Sequence, residues 1–409
     1  MAQVYIGIDW SEDKHNVVFQ NEAGAEVMRC TISHSQQGFE ELDKLRWELG
    51  VEPQDCVIGM ETVHSLLIDF LWGRNYSQLY ALPPNQVKSS QGRRRQSGAR
   101  DDDADASLIA ELIRTDRHRL YPWHPGSELL QQMRAKVSFL GFLNKGILRY
   151  HNRLRAVLLR YYPAALRVFS SLLVEISQAF IQAYPTPEAA AQLDFAAFQD
   201  FGRQHHYFRK KDLMTAFAHL QVPQPVATPA TVLTYKDEAV LLARALNQLV
   251  LAKKDTRKEL EVLLHQHPDA PIFLSLPGTG VFLSAGLLVK FGEDRQRFPD
   301  RQRVQTLAGT APVTVQSGKS RWVRFRRACD KEFRHIAQQW ARIAINKSNW
   351  AANYYRQVRP RCNSESHAYR CLANRLLAIA WKIWQDCTTY DETYHMQRCI
   401  ERSEPRKTR

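Results

Sequence analysis

The sequence predicts an α/β amino-terminal domain followed by an all-α remainder, and three observations predict it. Three short β-type runs separated by turn residues fill the first 31 positions and then give way to alternating helix and strand signals. From residue 127 onward, apolar residues recur at spacings of three and four over long stretches, the period of a helix face. The chain has 409 residues, 44% of them hydrophobic and 24% charged, enough apolar mass for two or three cores.

Residues 4–8 (VYIGI), 15–20 (HNVVFQ) and 26–31 (EVMRCT) read as a meander, broken by Trp10-Ser11-Glu12-Asp13 and by Asn21-Glu22-Ala23-Gly24. A helix at 36–49, a strand at 55–60 (DCVIGM), a helix at 64–74 and a strand at 77–82 follow, and Pro83-Pro84 ends the run. Three antiparallel strands followed by alternating helix and strand is the order of an RNase H-like sheet. The segment KSSQGRRRQSGARDDDADASLIAEL then passes from a Ser/Gly/Arg loop to a helix start at Asp101, Asp102 and Asp103, whose charges suit the positive end of a helix.

A long helix at 127–160 aligns Leu130, Met133, Val137, Leu140, Ile147, Leu154 and Leu158, with Asn144 and His151 as polar seam residues of the kind that fix register. A second, at 236–265, repeats Leu246, Leu249, Leu260 and Leu263, interrupted at Lys253 and Thr256. Such coiled-coil-like helices can pair within one chain or between chains, so an oligomerisation element is expected. Residues 184–235 read as mixed helix and loop without evident chemistry. Beyond them, Leu276-Pro277-Gly278-Thr279-Gly280 opens an apolar helix, and the segment TLAGTAPVTVQSGKSRWVRFRR reads as one exposed basic loop among helices that run to about 386. The expected domains are 1–125, 126–270 and 271–409.

The net charge of +14 has a location. Residues 301–409 hold 22 Lys or Arg against 8 Asp or Glu, whereas residues 1–300 hold 34 of each. A basic segment that also carries Trp322, Phe325, Trp340, Trp350, Tyr354 and Tyr355 suits a polyanion, because cations neutralise phosphates and aromatic faces stack on bases. No apolar run approaches the roughly 18–20 residues that span a bilayer, which excludes a membrane protein. MAQVYIGIDW lacks the features of a secretory leader, so the cytoplasm is expected. The seven cysteines contain no CxxC pair and signal neither a disulfide framework nor a zinc site; they read as reduced packing residues.

Asp9 ends the first strand and Glu61 lies just beyond the fourth. In an RNase H-like sheet those strands are neighbours, so the two carboxylates converge at one sheet edge. Asp102 and Asp105, three apart, share a helix face. Four convergent carboxylates call for cations. Oxygen donors select hard Mg²⁺ or Mn²⁺, and two such ions about 4 Å apart clamp the attacking and leaving oxygens of a phosphoryl transfer.

GIDWS around Asp9, GMET around Glu61 and the DDADA run with Asp102 and Asp105 resemble the DEDD motif of the insertion sequence 110 family of transposases, whose amino-terminal domain is RuvC-like. The resemblance continues through LPGTG, LAGTAPVTVQSG, RFRRACDKEFRHIAQQWA and the tail from YYRQ to YDETYH, and covers about residues 1–125 and 271–395. It implies a second catalytic element, a serine in the carboxy-terminal transposase domain, matched here by Ser317 of QSG; Ser320 is its rival in the same loop. A serine hydroxyl needs activation and a cationic setting for its transition state, and Lys319, Arg321, Arg324, Arg326 and Arg327 supply the cations. The family's Lys-Thr before DxxD is replaced by Arg100-Asp101, which leaves Asp101 and Asp103 competing with Asp102 as ligand. RRACDKEF also departs from the Gly-Asn of many members. Gly278 and Gly280 before an apolar helix can present amides to a phosphate, as in a helix-hairpin-helix-like turn. Arg93, Arg94 and Arg95 are expected to contact nucleic acid.

The resemblance implies a recombinase that excises and inserts its own mobile element in a bacterium or archaeon. Its carboxylates bind Mg²⁺ while Ser317 of another subunit forms a covalent phosphoserine link to DNA. A structured non-coding RNA, the bridge RNA, pairs with donor and target DNA, and the protein acts as a dimer or tetramer. Guide pairing relieves the protein of reading bases itself, which agrees with the charge arithmetic. The alternatives are a RuvC-like, structure-selective nuclease of the junction-resolvase type using activated water, and a nucleic-acid-binding scaffold with a degenerate site.

Overall fold

The computed structural model describes residues 3–61, 65–91, 102–318 and 320–403, with side chains for all of these except Asp102, Asp103, Lys210 and residues 399–403. The chain forms two compact units, residues 1–125 and 126–409. Among the described residues no helix is long and apolar enough to cross a membrane.

The first unit is a mixed five-stranded sheet in the order β3-β2-β1-β4-β5. Strands β1 (Val4–Trp10), β2 (Lys14–Gln20) and β3 (Glu26–Ser33) are antiparallel, while β4 (Cys56–Met60) and β5 (Gln78–Ala81) run parallel to β1. Period-two alternation divides β1 and β4 between two cores. Val4, Ile6, Ile8, Cys56, Ile58 and Met60 pack with Phe39 and Leu42 of α1 (Gln36–Glu48) and with Leu67 and Leu71 of α2 (Leu66–Gly73). On the other face Tyr5 and Val57 pack with Leu108, Ile109, Leu112 and Ile113, and a short helix α3 (Pro84–Ser90) precedes α4 (Asp102–Asp116), which carries those four residues. Each fully buried aliphatic side chain of this kind contributes about 1.5–3 kcal/mol.

Two glycines set how closely α4 lies on the sheet. Gly7 and Gly59 are register partners on β1 and β4. A Cβ at Gly7 would stand 2.0 Å from the Ala106 carbonyl oxygen and 2.4 Å from the Ala110 nitrogen, and one at Gly59 would stand 2.5 Å from Ile113 Cγ2. The α4 backbone therefore rests directly on Gly7, a contact that no other residue type permits, while the Ile109 and Ile113 side chains of the same helix cover Gly59.

In the second unit α5 (Glu128–Tyr161) and α11 (Pro229–Gln266) run antiparallel along each other. Lys136 pairs with Glu259 and Arg153 with Glu238, and Leu249 packs over Gly146. The two interrupted seams thus meet within the chain. The second of these helices begins earlier than its seam suggests, because Thr228 caps it and Pro229 occupies its first turn, where proline's fixed φ costs nothing.

The pair is shared between two cores. One end of it packs with α6 (Ala165–Val168), α7 (Glu175–Ala183), α8 (Pro187–Ala191), α9 (Phe195–Gln204) and α10 (Lys210–Leu220) around Phe180 and Phe198. The other end packs with α12 (Ala270–Leu274), α13 (Gly280–Phe291), α14 (Arg301–Leu307), α15 (Lys331–Ala344), α16 (Asn349–Val358) and α17 (Glu365–Gln385) around Phe291, Trp340 and Trp384. A last helix, α18 (Glu392–Ser403), follows.

The remainder is not purely α-helical. The segment read as an exposed basic loop is a β-hairpin, β6 (Val313–Ser317) paired antiparallel with β7 (Ser320–Arg324). Val313, Thr314, Val315, Trp322 and Val323 supply β-type side chains, and Gly318 takes the left-handed φ of +56° that a tight turn requires. Both strands are solvent-facing, so no one-sided apolar alternation marked them in the sequence.

Candidate active site: a carboxylate corner and a serine hairpin

The last registered pair of β1 and β4 is Ile8 opposite Met60, so Asp9 and Glu61 lie one step further along neighbouring parallel strands. Alternation places Asp9 on the same face as Gly7, and Glu61 on the same face as Gly59, which is the face covered by α4. Asp105 immediately precedes Ala106, whose carbonyl sits over Gly7. The close approach of the helix to the two glycines is what brings the first turn of α4 to the strand ends.

The electrostatics agree with this placement. Burial pushes the Glu61 carboxyl above the usual range, and the negative charge of Asp105 pushes it further. Gln91 Nε2 donates to Asp105 Oδ1 at 3.2 Å. Carboxylates are hard oxygen donors of the type that suits a divalent cation, and Glu61 is raised by its like-charged neighbour Asp105. Asp102 begins α4 one turn before Asp105, and its side chain is outside the described set. Asp101, Arg93, Arg94 and Arg95 lie outside the described residues, as does Lys319.

Ser317 is the final residue of β6 and the register partner of Ser320, and both are exposed. Geometry therefore gives the two hydroxyls equal access. Arg321 and Arg324 project from β7 into solvent, with the Arg324 guanidinium 6.0 Å from the Trp322 ring centre, and Arg327 is exposed beyond the strand. Arg326 is differently employed: its Nε donates to the Ala311 carbonyl at 3.2 Å, closing the hairpin base. Phe325 lies between the guanidinium groups of Arg334 and Arg370, at 4.6 Å and 4.4 Å. Neither arginine was singled out from the sequence, because cation–π pairing leaves no periodic signature and Arg370 lies 45 positions from Phe325.

Gly278 and Gly280 both take positive φ, +77° and +55°. A Cβ at Gly278 would meet Ile343 Cγ2 at 2.9 Å, and Trp340 Nε1 donates to the Pro277 carbonyl at 3.0 Å. The turn is thus seated against α15, and Gly278 is required by that packing. Gly280, at the first turn of α13, has open space around it and leaves the helix end accessible.

Comparison with known proteins gives a consistent picture. A family model of DEDD type, described as a transposase, matches residues 6–163. A second, described as a transposase of the IS116/IS110/IS902 family, matches residues 270–356. The candidate transposase of the IS117 mini-circle from Streptomyces coelicolor is 28% identical over 400 residues, covering 95% of each chain. The 43.6 kDa protein of insertion element IS110 from the same organism is 24% identical, again over 95% of each chain. The 42 kDa protein of insertion element IS900 from Mycobacterium paratuberculosis is 25% identical over 95% of this chain and 98% of its own.

Proposed function

The chain belongs to the IS110 family of transposases, and from that premise we propose that it is an RNA-guided DNA recombinase acting through a covalent phosphoserine intermediate. The observation that carries the reading is the convergence of Asp9, Glu61 and Asp105 at one sheet edge. Like charges gathered there weaken the fold, so their gathering serves chemistry.

Asp9, Glu61 and Asp105, with Asp102 as a fourth donor, would hold Mg²⁺ or Mn²⁺, which would supply Lewis-acid polarisation of a phosphate oxygen and offset the negative charge of the acids. The Ser317 hydroxyl attacks the scissile phosphorus: a new Oγ–P bond replaces one P–O bond of the DNA, the serine proton passes to water, and the displaced DNA oxygen takes one up. Bond energy is conserved for rejoining. Lys319, Arg321, Arg324 and Arg327 stabilise the charge that grows on the phosphoryl oxygens. Arg93, Arg94, Arg95 and the amide of Gly280 contact backbone phosphates. A structured guide RNA selects donor and target DNA, and the working species is a dimer or tetramer in which Ser317 serves the carboxylates of another subunit.

The test is to co-express the protein with the DNA flanking its gene as a source of guide RNA, supply the recombined donor end and Mg²⁺, denature, and look for protein-linked DNA. Loss of the adduct in Ser317→Ala but not in Ser320→Ala supports the assignment. Cleaved DNA with no adduct in any variant would replace it with the hydrolytic nuclease, and unchanged recombination in cells carrying Asp9→Asn would leave only the scaffold.

A further inference from the structure

Cys362, His367 and Cys371 come together at the start of α17, away from both the carboxylates and the serine hairpin in the sequence. Cys362 ends the short turn that follows α16, His367 lies in the first turn of α17, and Cys371 lies one turn later, so the last two share a helix face. Their donor atoms all lie within 4.8 Å of one another, and all three residues are half-buried. The turn is held in shape independently of them: the Cys362 amide donates to the Arg359 carbonyl at 3.1 Å, the Arg359 side chain returns a bond to the Cys362 carbonyl at 3.3 Å, and Ser364 caps the helix.

We propose that Cys362, His367 and Cys371 form a zinc site that staples the α16–α17 turn. Two thiolates and an imidazole are the borderline-soft donors that select Zn²⁺ over the hard cations suited to carboxylates. Tetrahedral zinc requires such donors roughly 3.5–3.8 Å apart, so about an ångström of side-chain adjustment closes the set. Three protein donors leave the fourth position to water. Binding exchanges thiol protons for the ion, so affinity rises with pH. The absence of CxxC spacing hid the site: its ligands follow C-x₄-H-x₃-C, with one donor in a turn and two on a helix.

The consequence reaches the serine hairpin through one residue. Arg370, next to Cys371, holds the Phe325 ring at the hairpin base. Fixing the first two turns of α17 fixes the guanidinium against which β7 ends.

The experiment is a Co²⁺ titration of the full-length, freshly reduced protein in excess Mg²⁺, with metal content measured by mass spectrometry of the Zn²⁺-loaded chain. One equivalent of Co²⁺ should give the visible bands of a tetrahedral ion together with sulfur-to-cobalt charge transfer, which a cobalt ion held by Asp9 and Glu61 cannot produce. Zn²⁺ should bleach the spectrum at one equivalent. Cys362→Ser and Cys371→Ser should each abolish the band, His367→Ala should weaken binding more than the roughly tenfold expected for loss of an outer-shell partner, and Cys387→Ser should change nothing. Absence of sulfur charge transfer in the unsubstituted protein overturns the proposal even if the variants fail to fold. So does recovery of Cys362 and Cys371 as a disulfide from protein isolated without added oxidant.

Discussion

Gly7→Ala is the smallest change that should disarm the carboxylate corner without touching a carboxylate. The added Cβ would lie 2.0 Å from the Ala106 carbonyl oxygen and 2.4 Å from the Ala110 nitrogen, both backbone atoms of α4. Ordinary contact begins near 3.4 Å, so the helix must retreat by about 1.4 Å at Ala106. A misfit of this kind costs about 1–3 kcal/mol, toward the upper end here because no rotamer change relieves it. The retreat carries Asp105, next in the chain to Ala106, away from Asp9 and Glu61. A displacement of about 1 Å at reacting groups costs on the order of 100-fold in rate.

Gly141→Ala is the matched control. It lies inside α5, its nearest neighbour for a Cβ is Glu332 Oε1 at 3.7 Å, and alanine there should stabilise by about 0.5–1 kcal/mol. Thermal melts and Mg²⁺-dependent strand cleavage of both variants check the pair. The first should melt roughly 10 °C lower and cut about 100-fold more slowly, while the second should melt no lower and cut normally. If Gly7→Ala melts and cuts like the unsubstituted chain, α4 does not depend on the glycine seat and the positioning account fails.

Glu61→Gln should abolish strand cleavage while sparing RNA binding, because it weakens metal binding without altering the basic surface; equal loss of both, read by cleavage and filter-binding assays, would contradict the site. Asp105→Asn should do the same and also let the Glu61 carboxyl titrate closer to its usual range, since the like charge that raises it is gone; carboxyl NMR reads that shift. Arg324→Ala should lower the salt slope of DNA binding by about one, as expected for one phosphate contact, whereas Arg326→Ala should leave the slope and loosen the hairpin whose base it closes. His15 is fully buried, with Nε2 2.9 Å from His34 Nδ1, and burial and then His34 hold its pKa down to about 4. The folded chain therefore keeps His15 neutral where the unfolded chain takes up a proton. Its contribution is intact above pH 6.5 and drains away as pH falls from there toward 4, by roughly 3 kcal/mol at the limit. Urea melts should show a shallower acid loss for His15→Phe, and equal slopes would refute the assignment.

The sheet was legible in the sequence because each β run is punctuated by turn residues and each strand is apolar on the face that packs. Asp9 and Glu61 were legible as neighbours because strand order alone sets their adjacency. The position of Asp105 relative to them was not, since it depends on Gly7 and Gly59, and isolated glycines in strands give no indication of which helix will rest on them. The hairpin around Ser317 escaped for the opposite reason: its strands bury nothing, so the residues that make it β-type show no alternation of apolar and polar. Long seams announced α5 and α11, but heptad spacing is the same for pairing within and between chains. The partner was settled by the antiparallel ion pairs Lys136–Glu259 and Arg153–Glu238, which join residues too far apart for local pattern to relate.

The two candidate catalytic elements are fixed by different physics, and this bears on when they act. The carboxylates stand on buried strands and on a helix seated against backbone, so their placement is part of folding itself. Ser317 sits at the tip of a two-stranded hairpin with no core beneath it, and such a ribbon is marginally stable at best in water. Its hold on the unit is concentrated at the base, where Arg326 grips the Ala311 carbonyl and Phe325 lies between Arg334 and Arg370. The remaining order must come from what the hairpin touches. Phosphates bridging Arg321, Arg324 and Arg327 would supply it, because each neutralised contact also releases counterions. On the serine reading, the nucleophile is then aligned only while nucleic acid is engaged. On that same reading, a preformed carboxylate site and a nucleophile ordered by its substrate would together restrict cutting to the assembled complex.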